Sequence, residues 1–325
     1  MSTPELRQSS PLGAPALGSP APVLPAKKEK RVNRPSPRRA QLGALLTVLA
    51  MLCFASMDTI AKWLVADYPI GQMMWIRYGI FCVFAWLVVR RRGGLRASFR
   101  TPRPWLQGGR ALLAVVESAV FVLAFRYMPL ADTHAIAATS PLIVIALGAL
   151  FLGEKVDAAR WVAVAAGFTG VLLIVRPGFR TLDWPLLIPL AGALLWGAYQ
   201  ILTRLSARTD SPDTTLVWSA FAAFAATSFI GPFEWHWPDP FSWGLMLVTG
   251  ILGSLAHYGL IRALDYADAS SIQPYSYTLL VWVTALGAIV FGDFPDHWTI
   301  LGAAIVVASG LYTWNHDRRA NAATA

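Results

Sequence analysis

The stretch Arg126–Val156, RYMPLADTHAIAATSPLIVIALGALFLGEKV, constrains this chain more than any other. It opens on a polar mouth, runs on as an apolar span with Pro141 inside it, and closes on a charged exit. A helix rises about 1.5 Å per residue, so an apolar run of about 20 residues matches the roughly 30 Å hydrocarbon core of a bilayer. The pattern recurs at Arg262–Asp293, RALDYADASSIQPYSYTLLVWVTALGAIVFGD. Arg126 aligns with Arg262 and Ala131-Asp132 with Ala267-Asp268; after a short slip, Leu152-Gly153-Glu154 aligns with Phe291-Gly292-Asp293. Apolar spans all look alike, but matched charge and glycine punctuation at both ends points to an internally duplicated membrane protein.

The composition agrees. The 325 residues are 56% hydrophobic and 14% charged, against about 25% charged in ordinary soluble domains. Ten apolar spans are expected, at 42–65, 70–90, 105–126, 132–152, 158–176, 185–204, 214–232, 243–262, 269–290 and 298–314. Tryptophans such as Trp63, Trp105, Trp184, Trp237 and Trp243 fall at span ends, as in interfacial belts. Cys53 and Cys82 lie in the first two spans, so no disulfide framework is implied.

The net charge of +9 is a topology signal and not a nucleic-acid one. Residues 1–40 are Pro-, Ser- and Ala-rich and end in Lys27, Lys28, Lys30, Arg31, Arg34, Arg38 and Arg39; we read them as a disordered basic tail without a secretory signal. The loop after the second span holds Arg90, Arg91, Arg92, Arg96, Arg100 and Arg103. Later loops on that side hold Lys155, Arg160, Arg204, Arg208 and Arg262, and the C-terminal tail (315–325) holds Arg318 and Arg319. The opposite loops hold only Arg126, Arg176 and Arg180. This bias places both termini in the cytoplasm.

The repeats are expected at 41–176 and 177–314, five spans each. An odd number of spans turns the second copy upside down, and inverted halves can exchange conformations around one central site. The first spans of the halves echo each other, with Phe54, Asp58 and Lys62 standing where Trp196, Gln200 and Arg204 stand. That spacing is one face of a helix.

Charges inside a bilayer cost at least about 2.5–3.5 kcal/mol on insertion scales, so they mark a cavity or pair with each other. Asp58 and Lys62 lie one turn apart and either pair or line a polar cavity. Arg77, with Gln72 and Trp75 on the same span, either snorkels outward, pairs with Asp58 or grips an anionic solute group. Glu117 has Ser118 beside it, and none of its near neighbours within a turn (Leu113, Ala114, Phe121, Val122) can neutralise it. It either makes a packing hydrogen bond to another helix or serves as the carboxylate of a proton-coupled carrier. His134, near the outer end of its span, reads as an interfacial histidine in preference to a proton relay. Ser140 precedes Pro141, which bends its helix and leaves carbonyls free toward a cavity. Gln273, Tyr275 and Tyr277 repeat the idea, and Tyr199, Gln200, His257 and Tyr258 complete a candidate binding set. Together they suit a planar or zwitterionic solute better than a metal ion or polyanion.

The segments FASMDTIAKWL (54–64), YPIGQMMWIRY (68–78), ESAVFVLAFRYMPLADTHAI (117–136), SPLIVIALGALFLGEKV (140–156), GFTGVLLIVRPG (167–178) and LLWGAYQILTR (194–204) resemble the drug/metabolite transporter superfamily, in its tandem EamA-type form. The second copy departs from the pattern, with Asp293 where the repeat usually has Glu and no proline at Tyr277. The resemblance implies an all-α membrane fold, ten helices in two inverted five-helix repeats, and transport through a central cavity. Within the superfamily the segments look most like carriers of riboflavin, S-adenosylmethionine and related zwitterions, including exporters of opine-type metallophores. Amino-acid or drug export on the same fold is the alternative. A membrane-embedded enzyme is disfavoured, because His134, His236, His257, His297 and His316 are scattered. No Walker segment occurs, so ATP is not the chain's own energy source. The expected partners are a small-molecule solute and the lipid bilayer, with no nucleic acid, no metal and no cofactor. Two copies in one chain make a monomer complete, and a homodimer stays open.

Overall fold

The structure, a computed structural model, describes residues 37–152, 158–175, 184–207, 209–266 and 274–323. The basic tail before residue 37, Gly153–Val156, Arg176, Arg180, Arg208 and Ala267–Gln273 lie outside the described residues, as does the Arg204 side chain. All regular structure among the described residues is helical. The helices are α1 (Pro37–Leu64), α2 (Ile70–Val89), the short α3 (Gly94–Ser98), α4 (Pro104–Tyr127), α5 (Leu130–Ala137), α6 (Ser140–Leu152) and α7 (Ala158–Val175). A 3-10 turn (Trp184–Leu186) leads into α8 (Leu187–Ser206), then α9 (Pro212–Thr227), α10 (Pro240–Tyr266), α11 (Thr278–Phe291) and α12 (His297–Ala323).

Among the described residues, seven segments are long and apolar enough to cross a membrane: 41–64, 70–89, 104–127, 130–147, 184–203, 240–260 and 274–291. Trp161–Val175 is a shorter apolar helix. The two other expected spans, 214–232 and 298–314, are occupied by α9 and by the first part of α12. Leu150, Val162, Phe229 and Ile289 are among the large apolar side chains left exposed, as a lipid-facing surface requires.

The packing carries the duplication. The main interfaces are α1 with α10, α4 with α8, α7 with α12, α2 with α9, α1 with α11, α6 with α8, α2 with α10 and α4 with α9. Exchange the halves, so that α1 becomes α8, α2 becomes α9, α4 becomes α10, α5–α6 becomes α11 and α7 becomes α12. Each of these interfaces then maps onto another or onto itself. The pairs α2–α9 and α7–α12 are self-related, so they mark the relation's axis.

The α7–α12 crossing is set by two glycines. A β-carbon on Gly302 would stand 2.5 Å from the Gly170 carbonyl oxygen, and one on Gly170 would stand 2.7 Å from the Gly302 carbonyl. Backbone cannot swing aside as a side chain can, so the helices must separate to admit a methyl group. Gly302→Ala is therefore expected to destabilise the protein by about 1–3 kcal/mol. Its melting temperature in detergent checks this, and an unchanged value would show that the crossing is loose.

One span is not a continuous helix. The Ala138 N–H closes α5 on the His134 carbonyl, and α6 starts at Ser140. Pro141 has no N–H to offer the carbonyl four residues back, at Ala137. The Ser140 hydroxyl bonds that carbonyl instead. The expectation of free carbonyls there, with Ser140 facing solute, is thus corrected: Ser140 is buried and satisfies the proline break.

Candidate substrate pathway

The loops after α1, α4, α9 and α11 gather at one end of the bundle, called distal here; α1 and α4 begin at the proximal end. Between the ends, α1, α2, α4 and α10 bring Asp58, Arg77, Glu117 and His257 together. Glu117 lies within electrostatic reach of Arg77 and Asp58, and His257 within reach of Arg77 and Arg110.

Arg77 meets soft partners. Its Nη2 lies 3.0 Å from Met74 Sδ and 3.3 Å from the Tyr78 hydroxyl, and its Nη1 lies 3.9 Å from Met57 Sδ. Among the described residues no carboxylate comes within ion-pair distance of it. Arg77 neither pairs with Asp58 nor turns outward. It borders a void of about 10 Å³ with Met57, Ala61, Met73, Met74, Val122 and Thr249. A void of that size holds at most one water molecule, so passage of an organic solute requires the helices to move. The His257 ring stacks on Phe81 at 5.6 Å and meets the edge of Phe54 at 5.1 Å. Glu117 is buried and accepts a long hydrogen bond from Ser118 Oγ, 3.4 Å.

Of the two readings of Asp58 and Lys62, mutual pairing does not occur. Asp58 Oδ2 lies 3.0 Å from His134 Nε2, and Lys62 turns the other way, with Nζ 2.7 Å from Asp293 Oδ2 and 3.1 Å from the Met128 carbonyl. His134 is buried and not interfacial. The Lys62–Asp293 pair depends on Gly292. That residue adopts φ 69° at the end of α11, a conformation open to glycine at little cost. The turn brings the Asp293 N–H back to the Gly287 carbonyl, which aims its side chain at α1.

This pair closes the distal end together with Arg126, whose Nε and Nη2 donate to the Val65 carbonyl. Beyond it lies a cleft of about 460 Å³ lined by Asp67, Tyr68, Arg126, Glu234 and His236, among others. Asp239 caps α10 at the same end. The Ser242 hydroxyl and the Ser242 and Phe241 N–H groups hold its carboxyl below the usual carboxylate range.

The proximal end has a closure that sequence reasoning missed. Arg110 on α4 is fully buried. It donates to Gln107 Oε1 (3.2 and 3.0 Å), the Tyr199 hydroxyl (3.0 Å), the Thr215 carbonyl (3.0 Å) and Ser219 Oγ (2.7 Å). Gln107 Nε2 in turn donates to Asp210 (2.8 Å), which also accepts from Thr101 (2.9 Å). One neutral amide thus links the buried cation to an acid, tying α4 to α8 and α9. An Arg one turn beyond Gln107, at the head of an apolar run, was the available signal.

The other predicted residues divide by partner. Gln72 exchanges two hydrogen bonds with the His236 backbone, 2.7 and 3.0 Å, and Trp75 bonds Ser228 while stacking on Phe224. Both hold the α9–α10 loop. Tyr199 is taken by Arg110 and stacks on Trp196, and Gln200 beside it is half-buried. Tyr258 packs on Phe84. The Tyr277 hydroxyl sits where a side chain on Gly310 would be, and Tyr275 is 42% exposed. Gln273 lies outside the described residues.

Apolar spans in two exchange-related repeats, closed at both ends around a charged centre, define a multi-pass membrane carrier. The chain belongs to the EamA-like transporter family, whose model matches residues 41–176 and again 183–314. A riboflavin transporter of Rhizobium johnstonii is 32% identical over 87% of this chain and 94% of its own length. The pseudopaline exporter CntI of Pseudomonas aeruginosa is 27% identical over 82% of this chain and 94% of its own. An S-adenosylmethionine uptake transporter of Rickettsia conorii is 23% identical over 84% and 92%. A solved crystal structure matches the fold with a TM-score of 0.61 at 20% identity, covering 85% of this chain and 98% of that one.

Proposed function

We propose that the chain is a secondary carrier for riboflavin or a closely similar planar, uncharged solute, working by alternating access in the bacterial inner membrane with both termini cytoplasmic. One observation carries the choice of solute. Among the described residues Arg77 has no carboxylate at ion-pair distance, and it lies within electrostatic reach of Glu117 and of His257, whose ring packs on Phe54 and Phe81. Glu117 lies within electrostatic reach of Arg77, and Asp58 lies 3.0 Å from His134. A guanidinium with no carboxylate at ion-pair distance, set near aromatic rings, favours a neutral aromatic solute over the adenosyl sulfonium cation, which it repels. The riboflavin-transporting relative points the same way. The proposed binding set is Arg77, Glu117 and His257, and the reading makes the protein a carrier and not an enzyme. Because both repeats lie in one chain, we take a single chain as the working unit. A second reading, export of a carboxylate-bearing zwitterion, draws on Arg77 as a carboxylate grip and on the CntI relative.

Stacking against aromatic side chains quenches flavin emission, so titrating riboflavin with the purified protein reads binding directly. Arg77→Met keeps the side chain's bulk and removes its donors. A charged hydrogen bond lost from a buried site costs about 1.5–3 kcal/mol, so the riboflavin Kd should rise about tenfold or more. An unaltered Kd would take Arg77 out of the site. No quenching by the unmodified protein, with binding of a carboxylate-bearing zwitterion instead, would favour the second reading.

A further inference from the structure

We infer that Asp58 and His134 form a proton-binding site, holding one exchangeable proton between them, and that this proton couples the carrier to the pH gradient. The inference rests on the carrier reading and assigns its coupling ion.

The argument is a matter of donors and acceptors. His134 Nδ1 lies 3.0 Å from the Leu130 carbonyl oxygen. A carbonyl has no hydrogen to give, so Nδ1 carries the N–H. Nε2 faces Asp58 Oδ2, also at 3.0 Å. With Nδ1 protonated, a neutral imidazole presents a lone pair at Nε2, and an ionised carboxylate presents another. Two acceptors at that distance repel. The contact exists only with one proton between them, as imidazolium with carboxylate or as imidazole with carboxylic acid. Both forms carry zero net charge, and the proton belongs to the pair and to neither residue alone.

The surroundings fix the ring and limit water. Phe125 and Phe121 lie nearly parallel to the imidazole, at 5.6 and 6.3 Å. The side chains of His134 and Asp58 are 7% and 16% exposed. Glu117 on α4 lies within electrostatic reach of Asp58, Lys62 follows Asp58 by one turn on α1 and Asp132 stands two residues before His134 on α5, while Arg77 on α2 acts on Glu117 and on His257 of α10. Lys62 is held by Asp293, and Arg77 and Glu117 act on each other.

Coupling follows from the same geometry. With its proton, the pair is a bond between α1 and α5. Without it, the pair is a buried net negative charge whose two members repel. Both helices also pack against the second repeat, α1 on α10 and α11, and α5 on α11 and α8. Proton loss therefore weakens one contact among elements that must shift between the two open states. The reading moves the coupling role from Glu117 to this pair and leaves Glu117 opposite Arg77.

Two measurements on the full-length protein test it. The first needs no solute: nitrogen-15 NMR of histidine-labelled protein in lipid, with the His134 signals assigned by their loss in His134→Gln. Nδ1 should be protonated throughout the folded range, with Nε2 either protonated or accepting a hydrogen bond. A neutral ring protonated at Nε2 alone overturns the site. The second uses proteoliposomes with riboflavin. In His134→Gln the amide can still donate to Asp58 but holds no titratable proton. Accumulation driven by a pH gradient should be lost in this variant, while riboflavin counterflow persists. Gradient-driven accumulation that survives in His134→Gln and is lost in Glu117→Gln overturns the assignment and returns the role to Glu117. Absence of riboflavin counterflow in the unmodified protein rejects the solute, and the ring-nitrogen signals then decide the site by themselves.

Discussion

Arg110→Ala is expected to destabilise the protein by on the order of 3–5 kcal/mol, because it removes the buried guanidinium that joins α4 to α8 and α9 at the proximal closure. The side chain is fully buried and supplies bonds to Gln107, Tyr199, Thr215 and Ser219. Truncation strands these acceptors in a site that excludes water and leaves a cavity as large as the guanidinium. It also frees Gln107, through which Asp210 is held. At roughly 2 °C per kcal/mol for a chain of this size, the apparent melting temperature should fall by about 6–10 °C. Arg110→Lys separates charge from geometry. It restores the cation but not the planar fork that serves partners on three helices, so it should recover only part of the loss. A melting curve for Arg110→Ala that overlays the unmodified protein's would show that the network contributes nothing net.

Asp293→Lys is expected to unlatch the distal end and stop transport. The Lys62 and Asp293 side chains are 15% and 29% exposed, so their 2.7 Å contact is partly desolvated. Replacing an attraction there with two ammonium groups costs on the order of 2–5 kcal/mol. Each 1.4 kcal/mol is a tenfold shift in a two-state equilibrium, so the end should be open in most molecules. Ala61, one residue before Lys62 and 4% exposed, borders the void beneath this closure. A cysteine placed there should react slowly with a water-soluble maleimide in the parent and at least tenfold faster beside Asp293→Lys. The exchanged pair, Lys62→Asp with Asp293→Lys, should bring the slow rate back. Equal labelling in all three proteins would mean that the ion pair does not hold this end shut.

Much of the architecture was legible from the chain because it rests on solubility and periodicity. A backbone crossing hydrocarbon must satisfy its own hydrogen bonds, so apolar runs of sufficient length have to be helices. The duplication showed in the punctuation of Arg126–Val156 and Arg262–Asp293, and it reappears as helix interfaces that exchange with the halves. Arg77 and Glu117 stood out because a charge in that setting requires a reason, and they lie within electrostatic reach of each other. Ser140, Gln72 and Tyr199 were legible as polar groups in spans. Their partners, the Ala137 carbonyl, the His236 backbone and Arg110, were not. A polar side chain in a membrane signals a need for a partner and carries no address for it.

The chain by itself thus determined that this is an all-helical, duplicated membrane protein with charges set at mid-depth. Composition, run length and repeat register act locally and hold in any arrangement of the helices. Only the tertiary structure decided which charges meet. Asp58 left Lys62, its neighbour one turn away, for His134 across an interface, and Lys62 found Asp293 in the other repeat, 231 residues on. Side-chain direction on each helix is set by which face packs against which neighbour. That choice is made by summed apolar contacts along whole interfaces, with the charged groups pairing within the geometry those contacts leave.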